Sequence, residues 1–122
     1  MKCLGAMITF IVALSAVALG TPLIAQAADA EQGKKLYGQF CASCHGQSGK
    51  GDGAAAAALN PKPRDHTDRD YMSKMSDADM LKVIKNGGAS VGKSPLMPPW
   101  GGSLKDDQIQ DVIAYIRTLC CN

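Results

Sequence analysis

The chain has 122 residues, 46% hydrophobic and 20% charged, with a formal net charge of +2. Those values describe one small globular domain rather than a disordered or two-domain chain. So small a basic excess argues against nucleic acid as the main partner, because such proteins usually carry a pronounced basic stripe.

The first segment reads as a secretory signal. Lys2 opens a short basic region, Leu4 to Leu19 is almost wholly apolar, and Thr21-Pro22 breaks the run before Ala25-Gln26-Ala27, an A-x-A cleavage pattern. The apolar run is shorter than the roughly 20 residues that cross a bilayer. Cys3 precedes that run, where an anchoring cysteine would follow it. The expectation is a signal peptide over residues 1–28, cleaved near Ala27/Ala28, and one exported domain over 29–122 in the periplasm. Loss of Lys2 with that segment leaves a net charge of +1. Export would place Cys41, Cys44, Cys120 and Cys121 in an oxidising compartment.

The exported part reads as helices and loops, with no alternating strand pattern and no internal repeat. Asp29 caps a first helix with Glu31 in its first turn, and Leu36, Tyr37 and Phe40 lead into Cys41-Ala42-Ser43-Cys44-His45 at its end. Gly46 to Gly53 is a flexible loop that fails the phosphate-loop pattern, since positions 44 and 51 are wrong for it. Ala54 to Leu59 suits one helical turn, and Asn60-Pro61-Lys62-Pro63 forces an extended path. A second helix starts at the cap Ser76, carries Met80, Leu81, Val83 and Ile84 on its apolar side, and stops at Asn86-Gly87-Gly88.

Residues 89–103 form a loop punctuated by Pro95, Pro98 and Pro99. The last helix is expected from the cap Ser103, with Asp106 and Asp107 in its first turn, Arg117 near its end, and Ile109, Val112, Ile113, Ile116 and Leu119 along one stripe. Three main helices joined by long loops leave an undersized core. Loops longer than about 12 residues are uncommon in compact domains unless something holds them. A large buried cofactor would fill the centre and give the loops something to wrap.

The C-x-x-C-H run admits three chemistries. A structural zinc site needs four ligands, yet the only other histidine is His66 and the remaining thiols are adjacent at the C-terminus. A redox dithiol needs C-x-x-C at the start of a helix after a strand, where the thiol pKa falls; here the motif ends a helix. The third reading uses every residue. On a helical turn Cys41, Cys44 and His45 stand at i, i+3 and i+4 on one face, so two thiols can add to the two vinyl groups of one porphyrin edge while the histidine reaches the iron.

A second axial ligand must return across the other haem face, from Met72, Met75, Met80, Met97 or His66. Met80 reads as core, Met72 and Met75 as partly exposed lead-in residues, and His66 as a solvated loop residue. Met97 lies in Ser94-Pro95-Leu96-Met97-Pro98-Pro99-Trp100, stiffened by three prolines.

Across the exported region the chain resembles the bacterial class I cytochromes c. The resemblance is carried by Gly33-Lys34-Lys35-Leu36-Tyr37, CASCHG, Gly51-Asp52-Gly53, Leu59-Asn60-Pro61-Lys62-Pro63-Arg64-Asp65, Ile84-Lys85-Asn86-Gly87-Gly88, Leu96-Met97-Pro98-Pro99-Trp100-Gly101 and Asp111 to Arg117. It implies an all-α cytochrome c fold whose first and last helices cross near Gly33, Tyr37 and Tyr115. It also implies one haem c bound through Cys41 and Cys44, axial ligation by His45 and Met97, and a proline carbonyl, Pro61 or Pro63, accepting the His45 Nδ1 hydrogen bond.

Function follows from that ligation. A thioether favours reduced iron relative to a second histidine, and two protein ligands leave no open position for oxygen. The expectation is a soluble periplasmic carrier of single electrons, not an enzyme, which meets larger redox complexes such as dehydrogenases or terminal oxidases and only touches membranes peripherally. The alternatives are a dedicated haem subunit of one dehydrogenase or oxidase, and a haem enzyme or gas sensor with a displaceable Met97. Lys50, Lys62, Lys74, Lys82, Lys85 and Lys93 read as solvated faces that could form a docking patch.

Two features depart from the family pattern. Lys105 stands where a serine or threonine usually opens the last helix, which is why Ser103 is expected to cap it. At Cys120-Cys121-Asn122, Cys120 continues the apolar stripe. Cys121 is expected to be free, because adjacent Cα atoms are about 3.8 Å apart and disulfides prefer roughly 4.4 to 6.8 Å. A monomer is expected, with a disulfide-linked dimer through Cys121 as the exception.

Overall fold

A computed structural model describes residues 26–122. The signal segment expected over residues 1–28 therefore lies almost wholly outside the described residues. Among those described, the elements are helices with no strand, and no helix is long and apolar enough to cross a membrane.

Helix α1 spans Ala30–Phe40 and starts as its sequence requires. Asp29 Oδ1 accepts from the N–H groups of Glu31 (2.9 Å) and Gln32 (3.2 Å), satisfying donors that the first turn leaves without intrahelical partners. The chain breaks at Cys41 and resumes as the short helix α2, Ala42–His45. The turn still closes, since the N–H groups of Cys44 (3.2 Å) and His45 (2.9 Å) both reach the Cys41 carbonyl. A single 3₁₀ turn, Ala56–Ala58, stands where one helical turn was expected.

Helix α3, Arg69–Met72, was not expected. Asp68 caps it by accepting from the Tyr71 N–H at 3.1 Å, and it carries Met72 into the core at 2% exposure. The expectation that Met72 is partly exposed is therefore corrected, whereas Met75 is half-buried. Helix α4, Asp77–Asn86, has Ser76 and Asp79 as reciprocal capping partners, as expected.

Helix α5, Asp106–Cys120, corrects the expected start at Ser103. Its N-cap is Lys105, whose N–H donates to Gln108 Oε1 at 3.0 Å. The register is set by Leu104, 3% exposed, which joins Ile109 in the core as a hydrophobic staple and leaves Ser103 in the preceding turn.

The core sits between α1, α4 and α5. A Cβ on Gly33 would lie 1.8 Å from the Asp111 carbonyl oxygen, so only glycine lets α1 and α5 cross this closely. Beside that crossing Tyr37 and Tyr115 pack edge to face at 5.2 Å. Arg117 ties α5 to the start of α4: its guanidinium meets Asp77 Oδ1 at 2.7 Å and the Met72 carbonyl at 2.7 Å. At the end of α5 Cys120 and Cys121 are joined to each other, with Cα atoms 3.7 Å apart, in place of the free Cys121 expected. The reason is local: Cys121 leaves the helix (φ −126°, ψ 7°), which turns its side chain back toward its neighbour. A dimer linked through Cys121 would first require that bond to open.

Candidate functional site

A half-open cavity of about 330 Å³ lies between α2, the loop after Pro61, α4 and the proline-rich segment. Cys41, Cys44, His45 and Met97 all line it. Three of the four come from the turn closed at Cys41. Met97 comes from a separate segment, in a loop tied to the end of α4: Trp100 and Gly101 donate to the carbonyls of Ile84 and Lys85, both at 2.9 Å, and Gly88 donates to the Met97 carbonyl at 3.0 Å. Those α4 carbonyls are last-turn acceptors that the helix itself cannot satisfy. The loop therefore completes the helix end while placing the methionine.

His45 is buried, and its Nδ1 meets the carbonyl oxygen of Arg64 at 2.9 Å. The expected acceptor, Pro61 or Pro63, is corrected. The Pro63 carbonyl is turned toward Gly51, where a Cβ would meet it at 2.5 Å, and the next carbonyl along the extended strand of chain points the other way, to His45. Burial pushes the His45 pKa down, and the Arg64 hydrogen bond opposes that. With Nδ1 engaged, Nε2 is the nitrogen left for a metal. Both thiols are free, and burial with Cys44 nearby pushes the Cys41 thiol up to about 12.

His66 corrects a further expectation. It is 8% exposed rather than solvated, stacked on the His45 ring, with its Nδ1 3.0 Å from the Tyr37 hydroxyl. Burial first, then the neighbouring His45, hold its pKa down to about 3, so the ring is neutral near pH 7. Its sequence signal was Asp65-His66-Thr67. Asp65 Oδ1 accepts from both the N–H and the hydroxyl of Thr67 at 2.7 Å, a local turn that sends the intervening side chain inward.

The rest of the wall is apolar, including Met72, Met80, Ile84 and Ile116, and Met80 is core as expected. The rim is cationic. Arg64 lies 3.8 Å over the Tyr71 ring, and Lys93 donates to the Tyr71 hydroxyl at 2.6 Å. Of the six lysines, Lys62 and Lys93 reach this cavity, and Lys85 is paired with Asp106 at 2.8 Å. Two free thiols, an imidazole with one free nitrogen, a thioether on the same cavity, an apolar wall and a cationic rim fit a haem with its vinyl groups, iron and carboxylates. Cys41 and Cys44 would hold its edge, and His45 and Met97 its iron.

The family described as "Cytochrome C oxidase, cbb3-type, subunit III" matches residues 28–116. The cbb3-type cytochrome c oxidase subunit CcoP of Azospirillum brasilense is 31% identical over 93 residues, which are 76% of this chain and 29% of that protein. The chain thus spans less than a third of that relative. Cytochrome c-554(547) of Halothiobacillus neapolitanus is 34% identical over 98 residues, covering 76% of this chain and 99% of that one. A solved structure, the KustC0563 c-type cytochrome, shares the fold with a TM-score of 0.59 at 24% identity over 72% of this chain and 96% of its own. A match over most of the described chain, together with these relatives, places it in the cbb3-type cytochrome c oxidase subunit III family, as a monohaem c-type cytochrome whose covalent cofactor is haem c.

Proposed function

We propose that this chain carries single electrons between redox complexes of the periplasm, with Cys41 and Cys44 as the thioether residues and His45 and Met97 as the axial ligands. Residues 1–28 act in this reading as the signal that exports domain 29–122. The observation that carries it is the convergence of these four side chains on one cavity while Arg64 engages His45 Nδ1. A haem held by that imidazole and thioether would supply one-electron exchange at a raised potential.

The protein's part is to hold and to exclude. The Arg64 carbonyl fixes the His45 tautomer, and the ties from Trp100 and Gly101 to α4 keep Met97 in place through a redox cycle. Met72, Met80, Ile84 and Ile116 keep water from the site, and two side-chain ligands leave no position for a substrate. This is a carrier rather than an enzyme. Lys62 and Lys93 at the rim suit brief, salt-sensitive contacts with acidic surfaces.

A second reading, a haem subunit held in one oxidase, is favoured by the family match and by the A. brasilense relative. Co-purification with an oxidase from native membranes would support it over the free carrier. For the site itself, ferric holoprotein should show the weak far-red methionine–iron band, and Met97→Ala should remove the band and lower the reduction potential. A band that survives the substitution overturns Met97 as ligand. Rapid, stoichiometric carbon monoxide binding by the parent at neutral pH overturns the carrier in favour of a haem enzyme or gas sensor.

A further inference from the structure

The segment Arg64 to His66 reaches His45 twice. Its first residue holds the imidazole by the edge, through the Arg64 carbonyl at 2.9 Å from Nδ1. Its third covers the face: the His66 and His45 rings are stacked, 4.2 Å between centroids and 16° between planes. An edge hydrogen bond decides which nitrogen is free, yet it lets the ring swing about the line of that bond. A flat group against the face removes the swing.

His66 is itself held on independent sides. Its Nδ1 shares a hydrogen bond with the Tyr37 hydroxyl at 3.0 Å, and the Tyr37 ring meets it edge-on at 5.8 Å. Tyr37 is 1% exposed and packs on Tyr115 beside the α1–α5 crossing. The His66 backbone N–H donates to the Gly49 carbonyl at 2.6 Å. Position and ring plane are therefore both fixed by groups outside the cavity.

We propose that His66 is a positioning residue, which sets the ring plane of His45 by stacking on it, with edge-on packing against the Tyr37 ring holding the stack beside the helix crossing. The inference rests on His45 being the axial histidine. An axial imidazole's plane determines which of two iron d orbitals interacts with its π system, so it determines how unpaired spin is shared among the four haem methyl groups in the ferric state. His66 acts on the ligand through shape, and outer partners of this kind orient and tune metal ligands generally.

The test compares His66→Leu, which fills the space without a flat face, with His66→Phe, which keeps the face and gives up the Tyr37 bond. Both are loaded with haem and read by the methyl proton shifts of the ferric protein, by reduction potential and by thermal midpoint. Expected are a redistributed methyl pattern with a displaced potential in His66→Leu, and the parent's pattern in His66→Phe. If His66→Leu keeps the parent's pattern and potential and only its midpoint falls, the residue merely packs and the inference fails. Should His66→Leu not fold, a methyl pattern in His66→Phe unlike the parent's overturns the inference by itself. His45→Ala separates the two levels. A variant that retains the parent's low-spin spectrum removes His45 as ligand and the inference with it, whereas loss of that spectrum beside an unchanged His66→Leu overturns the role of His66 alone.

Discussion

Met80 and Met97 bring the same thioether to the same cavity, and their surroundings separate them. Met80 is 3% exposed on the apolar side of α4, wedged in the core cluster, while Met97 is half-buried in a loop braced by hydrogen bonds. Met80→Ala is expected to cost about 2 to 5 kcal/mol of stability, as other core truncations do. It should leave the far-red band in place, and chemical denaturation beside the ferric spectrum checks both. At this scale the sequence was informative about Cys41, Cys44, His45, Met80 and Met97, because spacing, periodicity and proline content are local. It was silent on the Arg64 carbonyl, since which way a carbonyl faces depends on the close approach of Gly51 to Pro63. His66 reads as solvated for a similar reason: the Asp65–Thr67 turn is local, but nothing local says that the ring it carries is buried against Tyr37.

Capping chemistry made two helices legible at their starts: Asp29 opens α1 and Ser76 opens α4, each through a side-chain oxygen on a first-turn N–H. The start of α5 was misplaced because Ser103 is a better cap by type than Lys105, and burial of Leu104 outweighed that preference. Helix α3 was invisible, four residues being too few to show a period. The crossing of α1 and α5 hinges on Gly33. Gly33→Ala sets a methyl carbon against the Asp111 carbonyl, so the helices must part, at an expected cost of about 1 to 3 kcal/mol or more as in other overpacked cores. A lowered thermal midpoint in haem-loaded protein is the expected result, and an unchanged midpoint would mean that α5 can slide without loss.

On the scale of the whole molecule, a domain of this length buries too little apolar surface to be stable with a cavity of about 330 Å³ at its centre. Protein made without haem is expected to keep part of its far-ultraviolet helical signal and to lose its near-ultraviolet signal, the mark of lost side-chain packing. Circular dichroism of apoprotein and holoprotein checks this, and identical near-ultraviolet spectra would show a core that stands without its cofactor. The sequence by itself determined the helical class, the turn that puts Cys41, Cys44 and His45 on one face, and the proline-rich segment that carries Met97. All of these rest on local spacing, capping residues and composition. Only the tertiary structure decided which carbonyl holds His45, that His66 stacks on it, where α5 begins, that Met72 is buried and that Cys120 pairs with Cys121. Each of these turns on how closely two segments approach, on the burial that packing imposes, or on where a helix ends, and no local pattern encodes that.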